Sequence, residues 1–101
     1  MANRLNLHEE LCSLLGSRNV YFQPPESVKM RFPAIVYELT SRDKEHADNH
    51  MYRSMKAYTV TVIDNDPDGL IPDRILNMNY VRFDRRFKSD GMYHDVFTIY
   101  Y

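Results

Sequence analysis

Hydrophobic and polar positions alternate most regularly through Lys56-Ala57-Tyr58-Thr59-Val60-Thr61-Val62-Ile63-Asp64. This run is rich in the β-branched and aromatic residues that suit a pleated surface, and it predicts the central strand of a sheet. Period two sends Tyr58, Val60 and Val62 to one side and Thr59, Thr61 and Ile63 to the other. The first set is the more apolar and forms the expected core face. The strand should stop at Asp64, because Asn65-Asp66-Pro67-Asp68-Gly69 is a cluster of turn formers.

Before it, Leu7, Leu11, Leu14 and Leu15 follow helical spacing and predict an amphipathic helix. Its start is either Asn3 or an Asn6/Glu9 capping box, and Gly16 ends it. Val60 and Val62 are expected to be buried facing Leu11 and Leu15 of that helix. Val20-Tyr21-Phe22 reads as a short strand closed by Pro24-Pro25. Ala34 to Leu39 reads as a second clear strand, entered through Pro33. The polar run Ser41 to His50, followed by Met51 to Met55, makes the simplest link an antiparallel hairpin with a long tip.

After the acidic turn, Ile71, Ile75, Leu76 and Met78 predict a short helix, with Pro72 in its first turn and acids capping it. Tyr80 to Phe87 reads as a strand with Val81, Phe83 and Phe87 on the core face and Arg82, Asp84 and Arg86 opposite. Lys88-Ser89-Asp90-Gly91 signals a tight hairpin into a last strand, Tyr93 to Tyr101. The expected fold is a single α+β domain over residues 1–101. Its order is α-β-β-β-α-β-β, with a mainly antiparallel sheet and helices on one face.

Composition adds a few constraints. The 101 residues are 44% hydrophobic and 27% charged with a net charge of −1, so nothing global draws the chain to nucleic acid or an anionic membrane. No apolar run approaches the ~20 residues of a membrane helix, and the first ten residues lack a signal-peptide core. One cysteine excludes an internal disulfide and fits a reducing compartment. Eight tyrosines and no tryptophan suit a surface that spends part of its life against a partner.

Candidate chemistry is sparse. Asp64-x-Asp66-x-Asp68-Gly69 matches the opening of an EF-type calcium loop, but Ile75 stands where the bidentate glutamate belongs and Pro67 interrupts the loop. A helix-capping turn is the preferred reading, and no metal or cofactor is expected. His46 and His50 would share a helical face as metal ligands, yet their surroundings read as a solvated tip. Cys12 has only His8 nearby as a base and reads as a packing residue. Arg82, Arg85, Arg86 and Lys88, interleaved with Tyr80, Phe83 and Phe87, invite a nucleic-acid reading. Against it stand the core-face assignment of Phe83 and Phe87 and dilution by Asp84 and Asp90. There is no glycine-rich phosphate loop, and no enzyme is expected.

Three stretches carry a family resemblance: Tyr21 to Pro25 with Met30 to Glu38, Tyr58 to Asp64 with Asp66-Pro67-Asp68 and Ile71-Pro72-Asp73, and Phe97 to Tyr101. Together they resemble the tail terminator, or tail completion, proteins of long-tailed phages of Gram-positive hosts. The resemblance implies a non-enzymatic structural protein that forms a ring, usually a hexamer, on the tail tube. It implies two further partners, the tail tube protein and the head connector, and a lumen that passes DNA without reading it. The implied locations are the virion head–tail junction and, during assembly, the host cytoplasm. A head–tail connector or stopper is the alternative, and a metal-dependent nuclease on Asp64, Asp66 and Asp68 is a third class. The expected subunit contact is the hairpin tip, through Arg42, Asp43, Lys44, Glu45, Asp48, Tyr52, Arg53 and Met55. It is expected to be mobile in the monomer and ordered in the ring.

Overall fold

In the computed structural model, which describes residues 4–41 and 56–101, two helices lie on one face of a five-stranded sheet. The elements are α1 (Arg4–Leu15), β1 (Val20–Phe22), β2 (Ala34–Ser41), β3 (Ala57–Asp64), α2 (Ile71–Leu76), β4 (Val81–Ser89) and β5 (Met92–Tyr100). The strand order is β1-β2-β3-β5-β4. β1 runs parallel to β2, and the other neighbouring strands pair antiparallel. The expected α+β class and element order hold, with β3 in the middle of the sheet.

The core lies between the helices and the predicted face of β3. Leu7, Leu11 and Leu15 of α1 and Ile71 and Ile75 of α2 share one cluster with Tyr58, Val60 and Val62 of β3. Ile35 and Tyr37 of β2 join from one side, and Phe97 and Ile99 of β5 from the other. The register explains the shared face: Ile35 pairs with Val62, Tyr37 with Val60, and Val60 with Phe97. In an antiparallel ladder, opposed residues point the same way.

Helix ends differ in part from the expectation. Gly16 stops α1 as predicted, with φ of 84° and its N–H donating to the Cys12 carbonyl at 2.9 Å. Asn6, however, lies inside the first turn of α1, and the Glu9 carboxylate is held by both Arg18 nitrogens at 2.8 and 2.9 Å. No Asn6/Glu9 box forms, because a cap must stand before the first helical residue. Arg74 Nη1 donates to the Leu14 carbonyl at 3.0 Å, so α2 supplies a donor to an otherwise orphaned carbonyl of α1.

The β4–β5 turn is the two-residue hairpin anticipated. Asp90 and Gly91 have φ of 53° and 76°, between the paired Ser89 and Met92. Two consecutive positive φ values mark the mirror-type turn whose twist matches the flanking strands.

β4 departs from strict alternation. A register shift between Phe83 and Arg85 places Phe83 opposite Phe97 but Arg85 opposite Val96 and Arg86 opposite Asp95. The bulge advances the phase by one residue. Phe87 therefore leaves the helix-covered face expected for it and opposes His94, while Arg86 turns to the helix side. Phe83 stays on the helix side but is 45% exposed, and Phe87 is 40% exposed. Neither is core.

Candidate functional site

The expected contact residues Arg42, Asp43, Lys44, Glu45, Asp48, Tyr52, Arg53 and Met55 lie outside the described residues, as do His46 and His50. The base from which they depart is described. β2 and β3 remain paired to Leu39↔Tyr58 and, past a bulge, to Ser41↔Ala57. Lys56 and Tyr101 then exchange two backbone hydrogen bonds of 3.0 Å each, and the Tyr101 phenol donates to Glu10 at 2.6 Å. Burial and that carboxylate push the Tyr101 hydroxyl up to about 12.

The acidic turn uses its carboxylates locally. Asp64 Oδ1 accepts the Asp66 N–H at 3.1 Å, and Asp66 Oδ1 accepts the Asp68 N–H at 2.9 Å. These are successive Asx turns. A side chain at Gly69 would begin 2.7 Å from Asp64 Oδ2, so glycine lets that carboxylate fold over the loop. The acids do not cap α2: its N-cap is Leu70, with no side-chain cap bond. The loop satisfies its own amides before the helix begins, leaving Asp73 as the acid in the first turn. Ile75, at the position a calcium loop reserves for glutamate, is fully buried. We expect millimolar calcium to leave the melting temperature unchanged. A rise of several degrees that Asp66→Ala abolished would contradict this.

The cations of β4 are engaged within the strand's own surroundings. Arg82 Nε donates to Asp84 Oδ1 at 2.8 Å and Nη2 to Thr98 Oγ1 at 3.3 Å, while Thr98 Oγ1 donates to Asp84 Oδ2 at 2.6 Å. Partial burial pushes the Asp84 carboxyl up, but those hydrogen bonds and the Arg82 and Arg85 charges outweigh it and hold it below the usual range. Arg85 lies over Phe87, whose ring stacks on His94 at 4.7 Å and 13°. Arg86 and Lys88 lie over Tyr93. The exposed rings remove one argument against nucleic-acid binding. Phe87, however, is already engaged by Arg85 and by the stacked His94, which compete with base stacking there.

Beside this strand is a cleft of about 450 Å³, between the acidic turn, α2 and the β4–β5 ladder. Asp95 stands in its wall, 6% exposed, with Arg86 Nε 3.3 Å from its Oδ1. Arg86 also donates from Nη2 to the Pro67 carbonyl at 3.0 Å, so its guanidinium is shared between two acceptors. Burial pushes the Asp95 carboxyl up, and the Arg86 charge only partly counters it. Asp95 went unnoticed in the sequence, although the period that places Phe97 and Ile99 in the core places it on the same face.

Its raised pKa has a definite sign. Protonation is easier in the folded state, so this group favours folding most in acid and loses that contribution as pH rises through its native pKa. At neutral pH the ionised form is a net cost. Asp95→Asn should therefore melt no lower than the parent at neutral pH, and any advantage should shrink towards the ordinary carboxylate pKa of about 4. Thermal melts of both proteins across that range check it.

Two other groups read as structural. The Cys12 thiol is buried and pushed up by that burial, in keeping with a packing role. The fully buried Tyr37 has its hydroxyl 2.7 Å from His8 Nδ1 and accepts from Arg4 Nη1 at 3.2 Å. Burial and the Arg18 and Arg4 charges hold His8 below its usual value. Among the described residues no group of three metal-ligating side chains forms, and no helix is long and apolar enough to cross a membrane. Comparison with protein-family models, curated proteins and solved structures finds no match to this chain.

Proposed function

We propose that this chain is a non-enzymatic structural protein of a long-tailed phage, a tail terminator. It forms a ring, hexameric by analogy, that caps the tail tube and offers the docking surface for the head connector. The observation that carries the reading is where the resembling stretches fall. They are β1 with β2, β3 with the acidic turn and α2, and the end of β5. These pieces make one continuous sheet with its packed helix, so the resemblance follows the framework of the domain.

The β2–β3 register supports the assembly role assigned to the intervening segment. The two strands are adjacent to their last described pair, Ser41↔Ala57. A hairpin between such strands needs about two to five residues, and this chain spends far more there, polar up to His50 except for Ala47. A neighbouring subunit is a reason for such an excursion.

The test is to combine the purified protein with tail tube protein and inspect the products by negative-stain microscopy and native mass measurement. Rings, and tubes that carry a ring at one end and cease to elongate, are the expected result. Binding to portal-side protein in place of tube protein would move the assignment to a connector or stopper. A chain that formed no ring and bound neither would overturn both.

A further inference from the structure

One buried hydroxyl in the core has a single place to send its proton. Tyr37 of β2 is fully buried, and two side chains of α1 reach its phenol. Arg4 Nη1 donates to the hydroxyl oxygen at 3.2 Å, and His8 Nδ1 lies 2.7 Å from it. A guanidinium can only donate, and among the described residues no other acceptor reaches this hydroxyl. The phenol therefore donates to His8 Nδ1, which fixes His8 as the neutral tautomer with its proton on Nε2. The same group of side chains ties the first turns of α1 to the β1–β2 side of the sheet. Arg4 covers the Phe22 ring at 4.2 Å, and the His8 and Phe22 rings both pack on Tyr37.

A second proton on His8 has no place in this arrangement. Nδ1 would become a donor, so the hydroxyl oxygen would face two donors while its own proton lost its acceptor. The surrounding charges oppose that proton too. Arg4 stands on the same helix and Arg18 just beyond its end, and both repel a charged imidazole. Glu9, the acid beside His8, is held by both Arg18 nitrogens. Cys12, one turn on, carries a buried thiol pushed up by that burial, and from β3 the Tyr58 ring packs on Tyr37.

We propose that His8 is a proton-operated latch between α1 and the sheet. In its neutral form it fastens the first turns of α1 to Tyr37; protonation breaks that bond and makes those turns open more often. Leu11 and Leu15, further along α1 and buried, keep the second half of the helix docked. The sign follows from the hydrogen bond: the docked state favours the neutral ring, so the latch holds above the ordinary imidazole value of 6.5 and weakens as pH falls below it. The latch is independent of the tail-terminator reading, since it needs only this chain.

The test follows the isotope-labelled full chain by NMR between pH 7.5 and 5. His8 is assigned among the four histidines by the signal missing from His8→Asn. Its ring should titrate below the ordinary value, and Tyr37→Phe, which keeps the ring and removes the hydroxyl, should move that titration up. Exchange protection of the amides of His8 to Leu11, which bond carbonyls of the first turn, should fall about tenfold or more at pH 5, as one pKa unit of linkage requires. Protection of Val60 and Val62 should stay level. His8→Asn keeps an acceptor that does not titrate, so its α1 protection should not respond to pH. If His8→Asn fails to fold, Tyr37→Phe and the parent titration decide. An ordinary His8 titration, or one that Tyr37→Phe leaves in place, would overturn the proposal. So would α1 protection that ignores pH, an equal loss in His8→Asn, or an equal loss at Val60 and Val62, which would mean acid unfolding of the whole domain.

Discussion

Replacing Val62 by Asp is expected to leave no folded protein. Val62 is fully buried on the middle strand and faces the helices, in the cluster that holds Leu11 and Leu15. It pairs with Ile35 on one side and Asp95 on the other. A second carboxylate there would stand opposite the buried Asp95, so the new charge would meet like charge as well as lost solvent. An unpaired buried charge costs several kcal/mol, comparable with the ~5–15 kcal/mol that holds a whole domain together. Circular dichroism should show loss of the cooperative melt. Val62→Ala should still fold, with a lower melting temperature. A soluble Val62→Asp protein that melted cooperatively would refute the placement of this side chain.

The second large effect is on assembly. Replacing the segment from Arg42 to Arg53 by a tight turn should leave the domain folded and abolish ring formation. The folded part is expected to survive because its core cluster is drawn from α1, β1, β2, β3, α2 and β5. The loss of assembly follows from the charges assigned to the subunit contact: Arg42, Asp43, Lys44, Glu45, Asp48 and Arg53, with Tyr52 and Met55 as anchors. Native mass measurement separates the outcomes. A shortened protein that still formed rings and capped tubes at the proper length would show that the contact lies elsewhere.

Strict periodicity made β3 legible: Tyr58, Val60 and Val62 are buried on the predicted face, and the turn after Asp64 ends the strand where the composition says. The Asp90-Gly91 turn was equally readable, since few residues accept two positive φ values in succession. β4 was readable only as far as Phe83. A bulge adds one residue to one strand and leaves no mark in the local alternation, so Phe87 and Arg86 exchanged faces unseen. The acidic turn misled differently. Acids before a helix suggest caps, yet Asp64 and Asp66 found nearer amides within their own loop. Asp95 was overlooked because one acid among apolar neighbours reads as the solvent side of a strand. Its place on the core face follows only from counting back by twos from Phe97.

The strand order also constrains how the chain reaches its native state. β2–β3 and β4–β5 are each antiparallel neighbours in sequence, whereas β3 meets β5 across the acidic turn, α2 and all of β4. The sheet is thus two locally closed halves joined along one seam, where Val60 lies against Phe97 and Tyr58 against Ile99. Joining distant segments requires loop closure before any contact compensates for it, so this seam is the natural late event in folding. A variant that weakened it would accumulate two half-sheets, each with a bare inner edge able to pair with the same edge of another molecule. The seam that unites the domain is therefore also the place where a slow-folding variant would exchange halves with its neighbour.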